Sequence, residues 1–155
     1  MSAIGLDIGG ANLKLAHSDG RCLSRPFPLW KHPDRLSSEL AELLQELPPA
    51  NTLSVTMTGE LADCFQTKRE GVRHILSSIQ HVAGDREVRV WCTGGEFLDP
   101  GFASEYPLLV AAANWHALAS WAGQLVPDGC ALLVDIGTTT TDIIPLENGV
   151  PVSRG

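Results

Sequence analysis

Two short stretches each combine an acid, a glycine turn and small or hydroxylated residues, and the chemistry this suits is phosphate binding. The first is Ile4-Gly5-Leu6-Asp7-Ile8-Gly9-Gly10-Ala11-Asn12. The second is Leu132-Leu133-Val134-Asp135-Ile136-Gly137-Thr138-Thr139-Thr140-Thr141-Asp142. Each reads as a strand running into a tight turn. Such a turn aims successive backbone N–H groups at one point and makes an anion-binding concavity. Gly9, Gly10, Asn12 and Gly137 let a phosphate come close, and Thr138, Thr139 and Thr140 add hydroxyl donors. Gly9 and Gly10 are expected at positive φ, which glycine tolerates without steric cost. Asp7 and Asp135 would repel a phosphate directly. They make sense as ligands of a Mg²⁺ or its waters, the ion neutralising the phosphate. Lys14 either adds a point charge or faces solvent. A lone Asp-Ile-Gly is as readily an ordinary hairpin turn. The repeat at a domain's length, with a threonine-rich second copy, favours two phosphate-gripping jaws. Neither copy is a Walker A loop or a G-x-G-x-x-G fingerprint.

The elements that must hold these turns follow from the hydrophobic period. Residues 3–9 read as a strand, Asn12 to His17 alternates as a half-buried strand, and Asp19-Gly20 signals a hairpin into a third strand over 22–27. Leu36, Leu40, Leu43, Leu44 and Leu47 recur at helical spacing until Pro48-Pro49. A strand over 52–58 is followed by helix over 61–83, broken near Gln66-Thr67. Another strand spans 87–92, and 96–106 reads as a loop. A helix opens at Tyr106 or Pro107 and runs to about Leu125. Cys130 to Ile136 and Thr140 to Pro145 form a hairpin, with a further turn at Asn148-Gly149. The order is β-β-β-α-β-α-β-α, then β-β. Three antiparallel strands followed by αβ crossovers predict an α/β, ribonuclease-H-like mixed sheet with helices on its faces. Residues 1–128 would be that lobe. Residues 129–155 would be the opening hairpin of a second such lobe, cut short.

Length and composition bound the function. A chain of 155 residues supports one domain with a sizeable core. The net charge of −7 argues against a nucleic-acid or anionic-membrane surface. The apolar run from Pro107 to Leu125 is interrupted by Asn114, His116, Ser120 and Gln124, so it suits a buried helix better than a membrane span. No signal-peptide pattern opens the chain, and a cytoplasmic location is expected. Cys22, Cys64, Cys92 and Cys130 form no C-x-x-C, and the histidines lack metal-binding spacing.

The paired turns resemble those of the actin, sugar kinase and heat-shock ATPase superfamily, whose two lobes each carry one phosphate hairpin. A narrower resemblance rests on Thr58-Gly59-Glu60-Leu61-Ala62-Asp63, on Lys68-Arg69-Glu70-Gly71-Val72, on Ala112-Ala113-Asn114-Trp115 and on Val134 to Pro145. These stretches are similar to the hydantoinase/oxoprolinase-related family of tetrahydromethanopterin-linked one-carbon transfer. Archaeal members of that family act in methanofuran biosynthesis, and bacterial relatives serve methylofuran-type cofactors. The resemblance covers nearly the whole chain, but only the N-terminal half of a typical member.

That resemblance implies a transferase. An aminomethylfuran-methyl diphosphate would lose its diphosphate to the phenol oxygen of γ-glutamyltyramine, giving an aryl ether. The site would grip the leaving diphosphate, exclude water and orient the phenol. The phenol also needs a base. Glu60 is the first candidate, since it follows a strand on the edge where open α/β sheets bind ligands. Its competing reading is a helix N-terminal carboxylate. Asp63 and Glu70 are weaker acids for the role. Lys68 could meet phosphate but suits a solvated lysine better. Asn114 would need a buried partner, Trp115 suits the core, and Asp142 flanks the second turn. Two other classes stay open: an ATP-dependent kinase or ATPase of the same superfamily, and a non-catalytic phosphate-binding lobe. The isolated chain is expected to be inactive, because the superfamily's active site lies between lobes. The C-terminal hairpin would expose sheet edges, and it is expected to pack back on the first lobe or to pair with another copy.

Overall fold

Alternation in the first 26 residues builds the start of one sheet. The computed structural model describes residues 2–136 and 141–152. Strands β1 (Ala3–Ile8), β2 (Asn12–His17) and β3 (Cys22–Pro26) form an antiparallel meander. Strands β4 (Thr52–Met57) and β5 (Glu87–Trp91) then join parallel to β1, and the short β6 (Phe97–Leu98) closes the edge antiparallel. The order across this mixed sheet is β3-β2-β1-β4-β5-β6. Helix α1 (Leu36–Gln45) and helix α2 (Lys68–Ala83) are each amphipathic. Their inward residues, among them Leu40, Leu43, Val72 and Ile75, share one core with Ile4, Leu6 and Ile8 of β1 and Leu53, Val55 and Met57 of β4. Period two then turns Asp7 and Thr56 to the opposite, half-buried face. On the meander's outer strand, Arg25 bonds Glu39 (3.3 Å) and Glu42 (3.2 Å) and also pairs with Glu46, tying β3 to α1.

The chain packs as two units, Met1–Ala113 and Asn114–Gly155. In the second, helix α4 (Asn114–Gly123) lies against the sheet β7 (Cys130–Ile136), β8 (Thr141–Glu147) and β9 (Val150–Pro151). Ala119, Ile144 and Leu146 form its small core, with Trp115, Ala131 and Leu133 packed on it. Leu132, Val134, Ile136 and Ile143 are exposed. The turn at Asn148-Gly149 has positive φ at both residues, the two-residue hairpin geometry that Asn-Gly favours. Among the described residues, no helix is long and apolar enough to cross a membrane.

Three expectations need correction. The 96–106 loop is instead β6 and helix α3 (Pro100–Glu105). Asp99 caps that helix by accepting from Gly101 N–H at 2.7 Å, and Pro100 takes the first helical position, where its missing N–H costs nothing. The single helix from Tyr106 or Pro107 to Leu125 is split into a 3₁₀ turn (Pro107–Leu109) and α4. The break centres on Ala112, which sits at φ 50°, a conformation no helix accepts. Lastly, Gly9 and Gly10 do not adopt positive φ. Gly9 is needed for space: a Cβ there would lie 2.9 Å from the carbonyl oxygen of Asn12.

The break expected near Gln66-Thr67 is present. A 3₁₀ turn covers Gly59–Leu61, and α2 begins at Lys68. Thr67 Oγ1 accepts from Glu70 N–H at 3.1 Å, while Glu70 Oε2 accepts from Gln66 N–H at 2.9 Å, a reciprocal cap.

Candidate functional site

The carboxyl ends of β1 and β4 bring the residues of the first glycine turn together with an acid–base row. Asp7 on β1 is in register with Lys14 on β2 and with Thr56 on β4. Lys14 Nζ lies 3.2 Å from Asp7 Oδ2, with the lysine side chain 60% and the aspartate 28% exposed. Asp7 Oδ1 and Thr56 Oγ1 are buried and have no hydrogen-bond partner. Thr56 did not stand out in the sequence. Only its register beside Asp7 reveals it, and a Thr-x-Thr-Gly-Glu run after a strand is the faint signal that could have found it.

The turn itself is partly self-satisfied. Gly9 N–H donates to the Asn12 carbonyl at 3.0 Å, so it is spent inside the turn. The Gly10 and Ala11 carbonyls accept from Leu29 and Phe27 N–H at 2.9 and 2.8 Å, which fixes the turn from outside. Gly10 faces open space, since a Cβ there would meet nothing within 4 Å. An anion could approach at Gly10, with Lys14 on the neighbouring strand as its charge partner. Mg²⁺ usually takes one or two protein oxygens and keeps several waters. Asp7 Oδ1 and Thr56 Oγ1 are unpartnered oxygens, the donor type Mg²⁺ takes, on register partners of β1 and β4. Among the described residues no cluster of three or more His, Cys, Asp or Glu forms a closed metal site.

Glu60 lies one turn beyond β4, in a 3₁₀ turn that stacks beneath the β1 turn. Thr58 N–H donates to the Ile8 carbonyl at 3.0 Å. A Cβ on Gly59 would stand 2.7 Å from Leu29 Cδ2 and 3.0 Å from Ile8 O. Glu60 is only 2% exposed. Its Oε1 accepts from Ala112 N–H at 2.8 Å, and its Oε2 is buried without a partner. Gly71 of α2 packs directly on it: a Cβ there would lie 2.6 Å from Glu60 Cα. A glycine inside a helix asks for a packing reason, and Gly71 is the sequence signal that could have found this contact.

Burial pushes the Glu60 carboxyl above its ordinary value near 4.5, opposed by its backbone hydrogen bonds and by the charge of Lys68. The folded chain therefore binds this proton more tightly than the unfolded chain. Glu60's contribution to stability is complete below its unfolded value and declines as pH rises towards the raised folded one. Glu60→Gln removes that slope. Urea midpoints measured from about pH 4 to about pH 7 should show the wild-type advantage over this variant shrinking with pH.

The remaining candidates are dispersed. Asp63 and Lys68 are exposed, and Lys68 reaches Glu60 only through its field. Asn114 opens α4 in the second unit and is half-buried, while Trp115 belongs to that unit's core. Asp135 and Asp142 are exposed cross-strand partners. Directly opposed like charges disfavour the hairpin unless a cation or proton intervenes. Gly137, Thr138, Thr139 and Thr140 lie outside the described residues.

Known proteins match the chain at two levels. It is 39% identical over 149 residues to (4-{4-[2-(gamma-L-glutamylamino)ethyl]phenoxymethyl}furan-2-yl)methanamine synthase of Methanocaldococcus jannaschii, covering 94% of this chain and 43% of that protein. The chain thus spans less than half the length of this relative. Among solved structures, YeaZ from Pseudomonas aeruginosa aligns over 100% of this chain and 65% of its own, with a TM-score of 0.45 and 19% identity. The hydantoinase/oxoprolinase family model matches residues 51–154, two-thirds of the sequence and all of the β4–Glu60–α2 segment, and the chain belongs to that family.

Proposed function

We propose that this chain is the phosphate-gripping portion of a transferase that condenses an aminomethylfuran-methyl diphosphate with γ-glutamyltyramine in methanofuran- or methylofuran-type cofactor biosynthesis. The observation that carries this reading is the 39% identity, along 94% of the chain, to a synthase whose name specifies a phenoxymethyl-furan product. In that reaction the furfuryl C–O bond to diphosphate breaks and the electron pair leaves with the diphosphate. The phenol oxygen forms the new C–O bond and gives up its proton.

The first unit is suited to the leaving group. Lys14 supplies positive charge where the diphosphate gains negative charge, and Asp7 holds the lysine in place. Gly10 leaves room for a phosphate oxygen. Asp7 and Thr56 would hold a Mg²⁺, which supplies further charge to the diphosphate when bound. By sequence, Asp135 and the hydroxyls of Thr138, Thr139 and Thr140 would serve a second phosphate turn. On this reading residues 1–128 are a ribonuclease-H-like lobe, and residues 129–155 open a second.

Incubating the native enzyme with both substrates should yield the aryl ether and one diphosphate per ether, read by mass spectrometry and a phosphate assay. ATP hydrolysis with no ether formed would overturn the proposal.

A further inference from the structure

Three turns are stacked in the first unit, and one carboxylate joins two of them. The β1 turn presents Gly10. Beneath it the Thr58–Glu60 turn is hydrogen-bonded to Ile8, with Gly59 clearing the Ile8 and Gly9 carbonyls. Glu60 Oε1 then reaches across to Ala112 N–H at 2.8 Å, in a segment 52 residues later in the chain. Ala112 is held at φ 50°, which a residue with a Cβ adopts only when its surroundings compensate. Among the described residues, the charged side chain whose field acts on Glu60 is Lys68, from the start of α2.

We infer that Glu60 is a positioning residue: its carboxylate clamps the left-handed turn at Ala112 and couples the course of residues 110–113 to the phosphate-facing turn of β1. Several features favour this over proton transfer. A base must meet the proton it removes, yet Glu60 is 2% exposed and one of its oxygens is committed to the backbone. Gly71 leaves no slack, because α2 abuts the Glu60 backbone itself. The helix therefore fixes the Glu60 backbone from which the side chain reaches Ala112. The clamp needs an acceptor oxygen at this reach and does not need a negative charge.

That distinction sets the test. Gln keeps the acceptor oxygen and cannot take up a proton at neutral pH. Ala removes the acceptor, and Asp keeps the charge on a side chain one methylene shorter. Amide hydrogen exchange of Ala112, measured in the 155-residue chain, should rise by about ten-fold or more in Glu60→Ala and in Glu60→Asp. In Glu60→Gln it should stay within about three-fold of wild type. If Glu60→Ala does not fold, the Asp and Gln variants carry the comparison. Wild-type exchange at Ala112 in both Ala and Asp variants would overturn the inference.

A second arm rests on the proposed reaction and uses the native enzyme. Ether formation should fall in Glu60→Ala and be largely rescued in Glu60→Gln. Equal losses in the two, with Ala112 still protected in the Gln variant, would assign Glu60 to proton transfer and overturn the clamp. Absence of ether formation by the wild type would count against the reaction alone, because the exchange arm needs no substrate.

Discussion

Gly71→Ala is expected to cost about 1–3 kcal/mol of stability, although helix propensity alone predicts a gain of about 1 kcal/mol. The two effects have opposite signs, and the contact decides between them. The new Cβ would stand 2.6 Å from Glu60 Cα, 2.7 Å from Glu60 O and 2.8 Å from Glu60 Cβ. Two of these three atoms are backbone, so no flexible side chain can yield. Either α2 shifts outward, loosening the packing of Val72 and Ile75, or the Glu60 turn moves and its bond to Ala112 lengthens. Ser77 lies on the exposed side of the same helix, so Ser77→Ala reports propensity without the contact. Denaturation midpoints should fall for Gly71→Ala and stay level or rise slightly for Ser77→Ala. Equal midpoints for the two variants would show that α2 does not press on Glu60.

Lys14→Met should lower the rate of ether formation by about 10²-fold while changing stability by no more than about 0.5 kcal/mol. The small stability term follows from exposure: a half-solvated ion pair contributes little to folding. The large kinetic term follows from what the variant leaves behind. On the proposed reaction, it leaves the departing diphosphate without the cation that meets its growing negative charge. Adding Asp7→Asn to Lys14→Met should lower the rate further, because Asp7 would also hold the Mg²⁺, and a double-mutant cycle reads how far the two losses add. Wild-type turnover in Lys14→Met would remove the β1 turn from the reaction.

Much of this was readable from residue order, because the signals involved are local. The meander, the two amphipathic helices and the β4 and β5 strands follow from periods of 2 and 3.6 that need no distant partner. The first Asp-Ile-Gly turn and the Asn148-Gly149 turn are equally local. Errors fell where a distant group outcompeted local preference. The alanine-rich run after Pro107 has the composition of one helix, yet Glu60 captures Ala112 N–H from 52 positions away and the helix breaks there. At Asp99-Pro100 the start signal was local, but the loop-forming Pro-Gly pair masked it.

For the candidate phosphate turn the division is similar. Residue types and the repeat at a domain's length marked Asp7, Gly9, Gly10 and Lys14 as a candidate phosphate-binding set, although one such turn alone reads equally as an ordinary hairpin. Only tertiary structure paired Lys14 with Asp7, set Thr56 beside them and spent the Gly9 N–H within the turn. Strand register decides which side chains meet, and register comes from the whole sheet rather than from one stretch. The same holds for Glu60. Its sequence position after a strand suggests a base, while burial beneath Gly71 and the bond to Ala112 make it a clamp, because the helix and turn that enclose it come from segments no local pattern joins.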